Sequence, residues 1–147
     1  LTYCLHIMIR YELEKAFMDG TITVNEIPAL WNQKYKEYLG VEPKNDGEGC
    51  LQDVHWTGMF GYFPSYALGN AYGAQILNRM KMDFDVYEAV ANGELYKVTD
   101  WMKKNVFSCA SIMTPDEWIR KFTGEPLNTA YYLDYLEEKY TKLYELK

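Results

Sequence analysis

The chain has 147 residues, of which 48% are hydrophobic and 24% charged, and its formal net charge is −6. This length and apolar content predict one domain with a hydrophobic core, while the acidic balance argues against a nucleic-acid binder, which needs a basic patch. We find no apolar run long enough to span a membrane and no signal peptide, and the three cysteines have no C-x-x-C spacing. We therefore expect a soluble cytoplasmic protein without membrane contacts.

The first predicted helix rests on apolar residues that recur every four positions from Leu1 to Phe17. Asp19 and Gly20 follow as a C-terminal turn. No capping residue precedes Leu1, and the chain does not begin with Met. We therefore expect that residues normally preceding this helix are absent from the chain.

A second helix is predicted with Asn25 as its N-cap, Pro28 in its first turn and Gly40 at its end. Residues 41–49 form a polar loop. Pro64 is predicted to open a long third helix through Met82.

Four shorter helices are predicted in the remaining chain. Two lie over residues 85–92 and 94–105, separated by Gly93. Thr114, Pro115 and Glu117 form a strong start signal, with Thr114 as N-cap of a capping box. Asn128 or Thr129 starts the last helix. With no strand pair recognisable, the predicted fold class is all-α.

The most informative segment is the aromatic loop between the second and third helices. Residues 49–56 read GCLQDVHW and residues 60–70 read FGYFPSYALGN. Glycine and proline occur too often here for a continuous helix. So many rings on one loop should be covered by other parts of the protein. Polar groups among rings are typical of a binding or catalytic floor, although a core loop with internally bonded Asp and His is the alternative.

These motifs resemble those of the thermostable metallocarboxypeptidases, the carboxypeptidase Taq family. Residues 49–56 match its G-x-x-Q-D-x-H-W signature, and residues 1–17 and 61–70 are also similar to its C-terminal third. The resemblance implies a helical fold, a zinc-dependent carboxypeptidase activity with zinc or another divalent metal as cofactor, and peptide substrates with a free C-terminal carboxylate.

The zinc-binding part of that family is not found in this chain. The family holds its metal with the two His of an H-E-x-x-H helix and a later Glu. Here the only histidines are His6 and His55, and Cys4, Cys50 and Cys109 are scattered. We therefore predict that residues 1–147 form a single helical region, the C-terminal fragment of a larger catalytic domain, which holds no metal and is inactive alone.

Arg10 is a candidate for substrate binding. His6, Arg10 and Glu14 share one face of the first helix. A solvated stripe with a weak Arg10–Glu14 ion pair is one interpretation. The other comes from the resemblance of residues 9–14 to the family motif I-R-x-x-A-D, from which Leu13 and Glu14 depart. An Arg fork binds a carboxylate in a bidentate manner, so Arg10 would recognise the substrate carboxylate or orient groups that do so.

Asp53 and His55 are the candidate catalytic pair of the aromatic loop. In an irregular segment, side chains two positions apart lie on the same side. The resemblance implies that His55 contacts the substrate or its oxyanion and that Asp53 orients a neighbouring group, such as His55 itself. A purely structural network remains the alternative. Gln52 and Trp56 are expected to form the wall and scaffold of the site and to contact substrate.

Tyr62 and Tyr66 are the remaining candidates. A phenol could donate to the developing oxyanion of a peptidase, and Tyr62 lies closer in sequence to His55, which makes it the catalytic candidate. Tyr66 is expected to contact substrate. Either ring could instead be a core residue.

The sequence therefore predicts the C-terminal part of a metallocarboxypeptidase that releases single C-terminal amino acids. The alternative is a non-catalytic helical interaction module, in which exposed apolar surface favours a homodimer.

Overall fold

The computed structural model describes residues 2–109 and 111–146, which form seven α-helices and, within those ranges, no β-strand. This confirms the all-α prediction. The helices are α1 (Tyr3–Met18), α2 (Ile27–Leu39), α3 (Pro64–Lys81), α4 (Val86–Ala91), α5 (Leu95–Asn105), α6 (Pro115–Thr123) and α7 (Ala130–Tyr144). Leu1, which the periodicity assigned to the first helix, lies outside the described residues. No helix within them is long and apolar enough to cross a membrane.

The chain divides into two compact units, Leu1–Leu68 and Gly69–Lys147, with the division inside α3. The single region expected from the sequence remains a prediction. In the first unit α1 packs on α2, and Trp31, fully buried, stacks on Tyr35 with ring centroids 4.8 Å apart. Burying a large apolar side chain of this kind contributes roughly 2–3 kcal/mol. This core holds one face of α1 firmly against α2.

The start of the second helix differs from the prediction. Asn25 is not the N-cap but lies inside a 3-10 turn, Val24–Glu26, that precedes α2. Thr23 caps that turn, and its backbone N–H and hydroxyl both donate to the Glu26 carboxylate at 2.8 Å. A reciprocal capping box satisfies two groups at once, which explains why it defines the start instead of Asn25. Gly40 ends α2 in the left-handed region at φ 68°, as predicted.

In the second unit the predicted start signals are largely confirmed. Thr114 and Glu117 form the expected capping box of α6. Thr129 is the N-cap of α7 by position, but the side-chain bond comes from Asn128, whose Oδ1 accepts from the backbone N–H of Ala130 at 3.0 Å. Gln75 of α3 is buried and fixes the α6–α7 connection, because its Oε1 accepts from the Asn128 N–H at 2.9 Å.

Candidate functional site

The aromatic loop is irregular, as the sequence predicted, and consists of two 3-10 turns, Cys50–Gln52 and Val54–Thr57. Asp53 joins the turns as N-cap of the second one. Its Oδ1 accepts from the backbone N–H of His55 at 3.0 Å and lies 2.9 Å from the His55 Nδ1. Asp53 therefore fixes both the backbone and the ring of His55, so the two side chains lie on the same side.

Arg10 completes a network with this pair. Its Nε donates to Asp53 Oδ2 at 2.5 Å, and the side chains are only 12% and 3% exposed. The guanidinium lies 4.7 Å from the ring centroids of both Trp31 and Phe63. A cation placed over the face of an aromatic ring gains cation–π stabilisation, and Arg10 makes two such contacts. The interpretation of this helix face as a solvated stripe is therefore wrong.

The network determines how His55 can act. Because the ionised Asp53 only accepts hydrogen bonds, the Nδ1 of His55 carries a proton and donates. Nε2 is then the ring nitrogen left for a ligand. It accepts a hydrogen bond when the ring is neutral and donates one when the ring is protonated.

Tyr62 and Tyr66 flank the His55 ring. The Tyr62 ring is parallel to it with centroids 6.0 Å apart, and the Tyr66 ring meets it edge-on at 6.3 Å. Both phenols are exposed, at 48% and 38%, so the expectation of a covered loop does not hold for them. Desolvation and the neighbouring Tyr62 raise the pKa of Tyr66, which keeps its hydroxyl protonated and able to donate.

Gln52 and Trp56 make their contacts with the loop backbone and with the core of the first unit. Gln52 is exposed, and its amide donates to the backbone oxygen of Glu48 at 2.5 Å. The Trp56 Nε1 donates to the Cys50 oxygen at 2.9 Å, and its ring meets Trp31 edge-on at 6.2 Å. Trp56 also lines an apolar cleft of about 210 Å³ with Phe17 and other residues of the first unit. These contacts are those of a scaffold for the loop.

Phe63 and Glu14 are among the site residues that the sequence did not indicate. Phe63 is buried, and its centroid lies 4.0 Å from that of His55. Glu14 is 5% exposed, and its Oε2 accepts from the backbone N–H of Gly61 at 2.8 Å. Gly61 has φ 76°, a conformation that favours glycine. The shared helix face of Arg10 and Glu14 was the available signal, but it could not indicate which loop residue Glu14 would bind.

The described residues do not fit a metal site by themselves. Between residues 2–109 and 111–146 there is no group of three or more His, Cys, Asp or Glu side chains that could hold a metal ion. Asp53, the carboxylate that contacts His55, already binds Arg10.

Comparison with known proteins gives a consistent result over nearly the whole chain. Residues 1–140 match the family described as carboxypeptidase Taq (M32) metallopeptidase. Carboxypeptidase 1 of Bacillus subtilis is 48% identical over 99% of this chain and 30% of its own length. Thermostable carboxypeptidase 1 of Thermus thermophilus is 40% identical over 98% of this chain and 29% of its own length.

Solved structures agree with the sequence relatives. The M32 carboxypeptidase from Deinococcus radiodurans superposes with a TM-score of 0.93 at 33% identity, covering 99% of this chain and 30% of that one. The metallocarboxypeptidase 1 of Trypanosoma cruzi gives 0.90 at 44% identity, over 94% and 28%. The chain thus spans slightly less than a third of the length of these relatives.

Proposed function

The chain belongs to the carboxypeptidase Taq (M32) metallopeptidase family. We propose that it is part of an enzyme that releases single amino acids from the C-terminus of peptides. The observation that carries the proposal is the buried Arg10–Asp53–His55 network beneath the exposed phenols of Tyr62 and Tyr66. These residues belong to the three segments, 1–17, 49–56 and 61–70, through which the sequence resembles the family. An ordered imidazole beside phenol donors is suited to acyl-transfer chemistry on a peptide carbonyl.

His55 is proposed to contact the scissile carbonyl or the oxyanion that develops from it. Asp53 holds its ring through Nδ1, so that Nε2 faces the reacting atoms in one orientation. To donate to the oxyanion through Nε2, the His55 ring must carry a proton on each nitrogen, because its Nδ1–H donates to Asp53. A donor fixed in this way is effective because it needs no reorganisation while charge develops. Arg10 in turn fixes Asp53 through Oδ2.

Arg10 is also proposed to support recognition of the substrate carboxylate. Its Nε is bonded to Asp53, and its Nη1 donates to the His6 backbone oxygen at 3.0 Å. These bonds support the orienting role more than that of an open fork. Tyr62 is proposed as the oxyanion donor and Tyr66 as a substrate contact, with Gln52 and Trp56 in the wall.

Zinc, or another divalent metal, is proposed as the cofactor of the whole protein because the family is one of metallopeptidases. Since the described residues form no metal site, we place its ligands in family segments that this chain does not contain. The cytoplasm is proposed as its compartment, from cysteines that have no C-x-x-C spacing.

The experiment compares a peptide with a free C-terminus and the same peptide with an amidated one. The polypeptide that contains this chain is expected to release one residue at a time from the free peptide and nothing from the amide. The 147-residue chain alone is expected to release nothing and to bind zinc weakly. Equal cleavage of both peptides would exclude a carboxypeptidase. Tight stoichiometric zinc binding with hydrolysis by the chain alone would exclude the proposal that the metal ligands lie in other segments of the protein.

The second candidate function is a non-catalytic interaction module. It is favoured by exposed apolar residues on the aromatic loop, including Leu51 and Val54. Light scattering on the purified chain distinguishes the two proposals when combined with the peptide assay. A concentration-dependent dimer, together with an inactive whole protein, would support the module.

A further inference from the structure

Tyr35 lies outside the segments that resemble the family, and His6 precedes the motif of residues 9–14, yet both contact Arg10 directly. The Nδ1 of His6 is 3.1 Å from the Tyr35 hydroxyl, and the rings meet edge-on with centroids 5.4 Å apart. The Nη1 of Arg10 donates to the same hydroxyl at 3.4 Å. Tyr35 is buried, and its ring stacks on Trp31. The hydroxyl is therefore held at one place between an imidazole and a guanidinium.

The direction of these hydrogen bonds follows from what each group can donate. A guanidinium has donors only, so the Tyr35 oxygen accepts from Arg10. Its own proton then needs an acceptor, and the Nδ1 of His6 lies within reach at 3.1 Å. With that bond made, His6 is neutral and its proton is on Nε2. Protonation of His6 would place two donors on one hydroxyl oxygen and a second cation beside Arg10.

The electrostatic surroundings favour the same state. Partial burial and the charge of Arg10 lower the pKa of His6. Among the described residues, the contacts of His6 include Arg10 on α1 and Tyr35 on α2, while Asp53 of the aromatic loop binds the Nε of Arg10. Asp53 is committed to Arg10 and His55, so it does not offset a charge on His6.

We propose that His6 and Tyr35 are positioning residues for His55. The hydrogen bonds run without interruption from His6 through Tyr35, Arg10 and Asp53 to His55. Trp31 and Phe63 both attract the guanidinium, but cation–π contacts do not fix the directions of its N–H groups. The Tyr35 hydroxyl accepts from one of those N–H groups, and His6 directs that hydroxyl. The catalytic part of this inference rests on the proposed function.

The structural part can be tested on the chain itself, because His6 and His55 are its only histidines. Long-range ¹H–¹⁵N correlation spectra distinguish the two imidazole tautomers. We expect the Nε2–H form for His6 and an Nδ1 proton on His55. Tyr35→Phe is expected to change the spectra of both rings. Tyr38→Phe is the control, because its hydroxyl donates instead to Glu12 at 2.7 Å. An unchanged His55 ring in folded Tyr35→Phe would overturn the proposal.

A second pair of variants covers the case in which Tyr35→Phe does not fold. His6→Asn keeps an acceptor near the position of Nδ1 but does not titrate, whereas His6→Leu removes the acceptor. His55 is then the only histidine and gives the only imidazole signals. We expect His6→Leu to change them and His6→Asn to preserve them. Identical His55 spectra in the two variants would overturn the proposal.

Kinetics of the whole polypeptide test the catalytic part. Tyr35→Phe is expected to lower kcat about tenfold, the equivalent of one hydrogen bond, and to leave KM within about twofold. Tyr38→Phe is expected to leave both unchanged. If the spectra behave as expected and the unmodified polypeptide has no peptidase activity, the proposed function fails while the positioning of His55 stands. Changed spectra with unchanged kcat would overturn the catalytic part alone.

Discussion

The ion pair Arg10–Asp53 of the first unit joins residues 43 positions apart and is almost completely buried. In the second unit the pairs Arg79–Asp83, Lys103–Asp100 and Arg120–Asp116 join residues three or four positions apart on one helix or at its end, and all are solvent-accessible. Pairs of the second kind contribute little to stability because water screens them. In the buried pair each charge is largely removed from water and is stabilised by the charge of its partner. The Arg10–Asp53 pair therefore fixes side chains from two distant parts of the sequence, which the exposed pairs of one helix do not do.

The largest predicted loss of stability is that of Asp53→Asn. The amide nearly keeps the shape of the carboxylate but leaves the buried Arg10 without a counter-charge, which should cost about 3–5 kcal/mol of unfolding free energy. Asp116→Asn is the matched control, because its partner Arg120 is exposed, and we expect little change there. Urea unfolding of the chain measures both. Equal effects of the two substitutions would contradict the distinction between buried and exposed pairs.

A somewhat smaller effect is predicted for Arg10 in the whole polypeptide. Arg10→Ala should cost roughly 2–5 kcal/mol of transition-state stabilisation, and Arg10→Lys should recover little, because an ammonium cannot reproduce the guanidinium fork. The division between kcat and KM sharpens the result. A fall in kcat alone indicates that Arg10 orients His55, and a rise in KM indicates that it binds the substrate carboxylate. A value of kcat/KM for Arg10→Ala within about threefold of the unmodified protein would exclude both roles.

The smallest predicted effect is a loss of stability in mild acid. The pKa of His6 is lowered in the folded chain, so the folded state binds fewer protons than the unfolded state below about pH 6.5. The stability that neutral His6 contributes is fully present above that pH and is lost as the pH falls through the lowered pKa of the folded state. We expect the urea midpoint to fall from about pH 7.5 to about pH 5.5 by less in His6→Asn than in the unmodified chain. Equal falls would show that His6 does not titrate in this range.

The helices could be predicted from the sequence to a large extent because their signals are local. The capping box at Thr114 and the proline at the start of α3 each act within four residues, and both elements begin where predicted. Asn25 was misassigned because Thr23 and Glu26 offered a better cap two residues earlier. The sequence distinguishes Thr23 from Asn25 as the cap only when both members of the capping box, Thr23 and Glu26, are considered together.

The candidate site was predictable only in part. Arg10, Asp53 and His55 were each identified through motifs, but the sequence could not show that Asp53 binds both of the others, since that depends on the packing of α1 against the loop. Tyr35 carries no signal beyond its place on an aromatic helix face. Its role depends on a hydroxyl that meets Arg10 only in three dimensions.

The most direct test of the account is the effect of His55→Ala in the whole polypeptide, with kcat and melting temperature measured together. The account predicts that kcat falls roughly 10²–10³-fold, the usual loss for one oxyanion donor, while the melting temperature falls by only a few degrees, because the buried Asp53 loses one hydrogen-bond partner. His55→Gln, which keeps an N–H near the position of Nε2, should recover part of kcat. A fully active and equally stable His55→Ala protein would contradict the account, and so would a large fall in melting temperature with normal turnover.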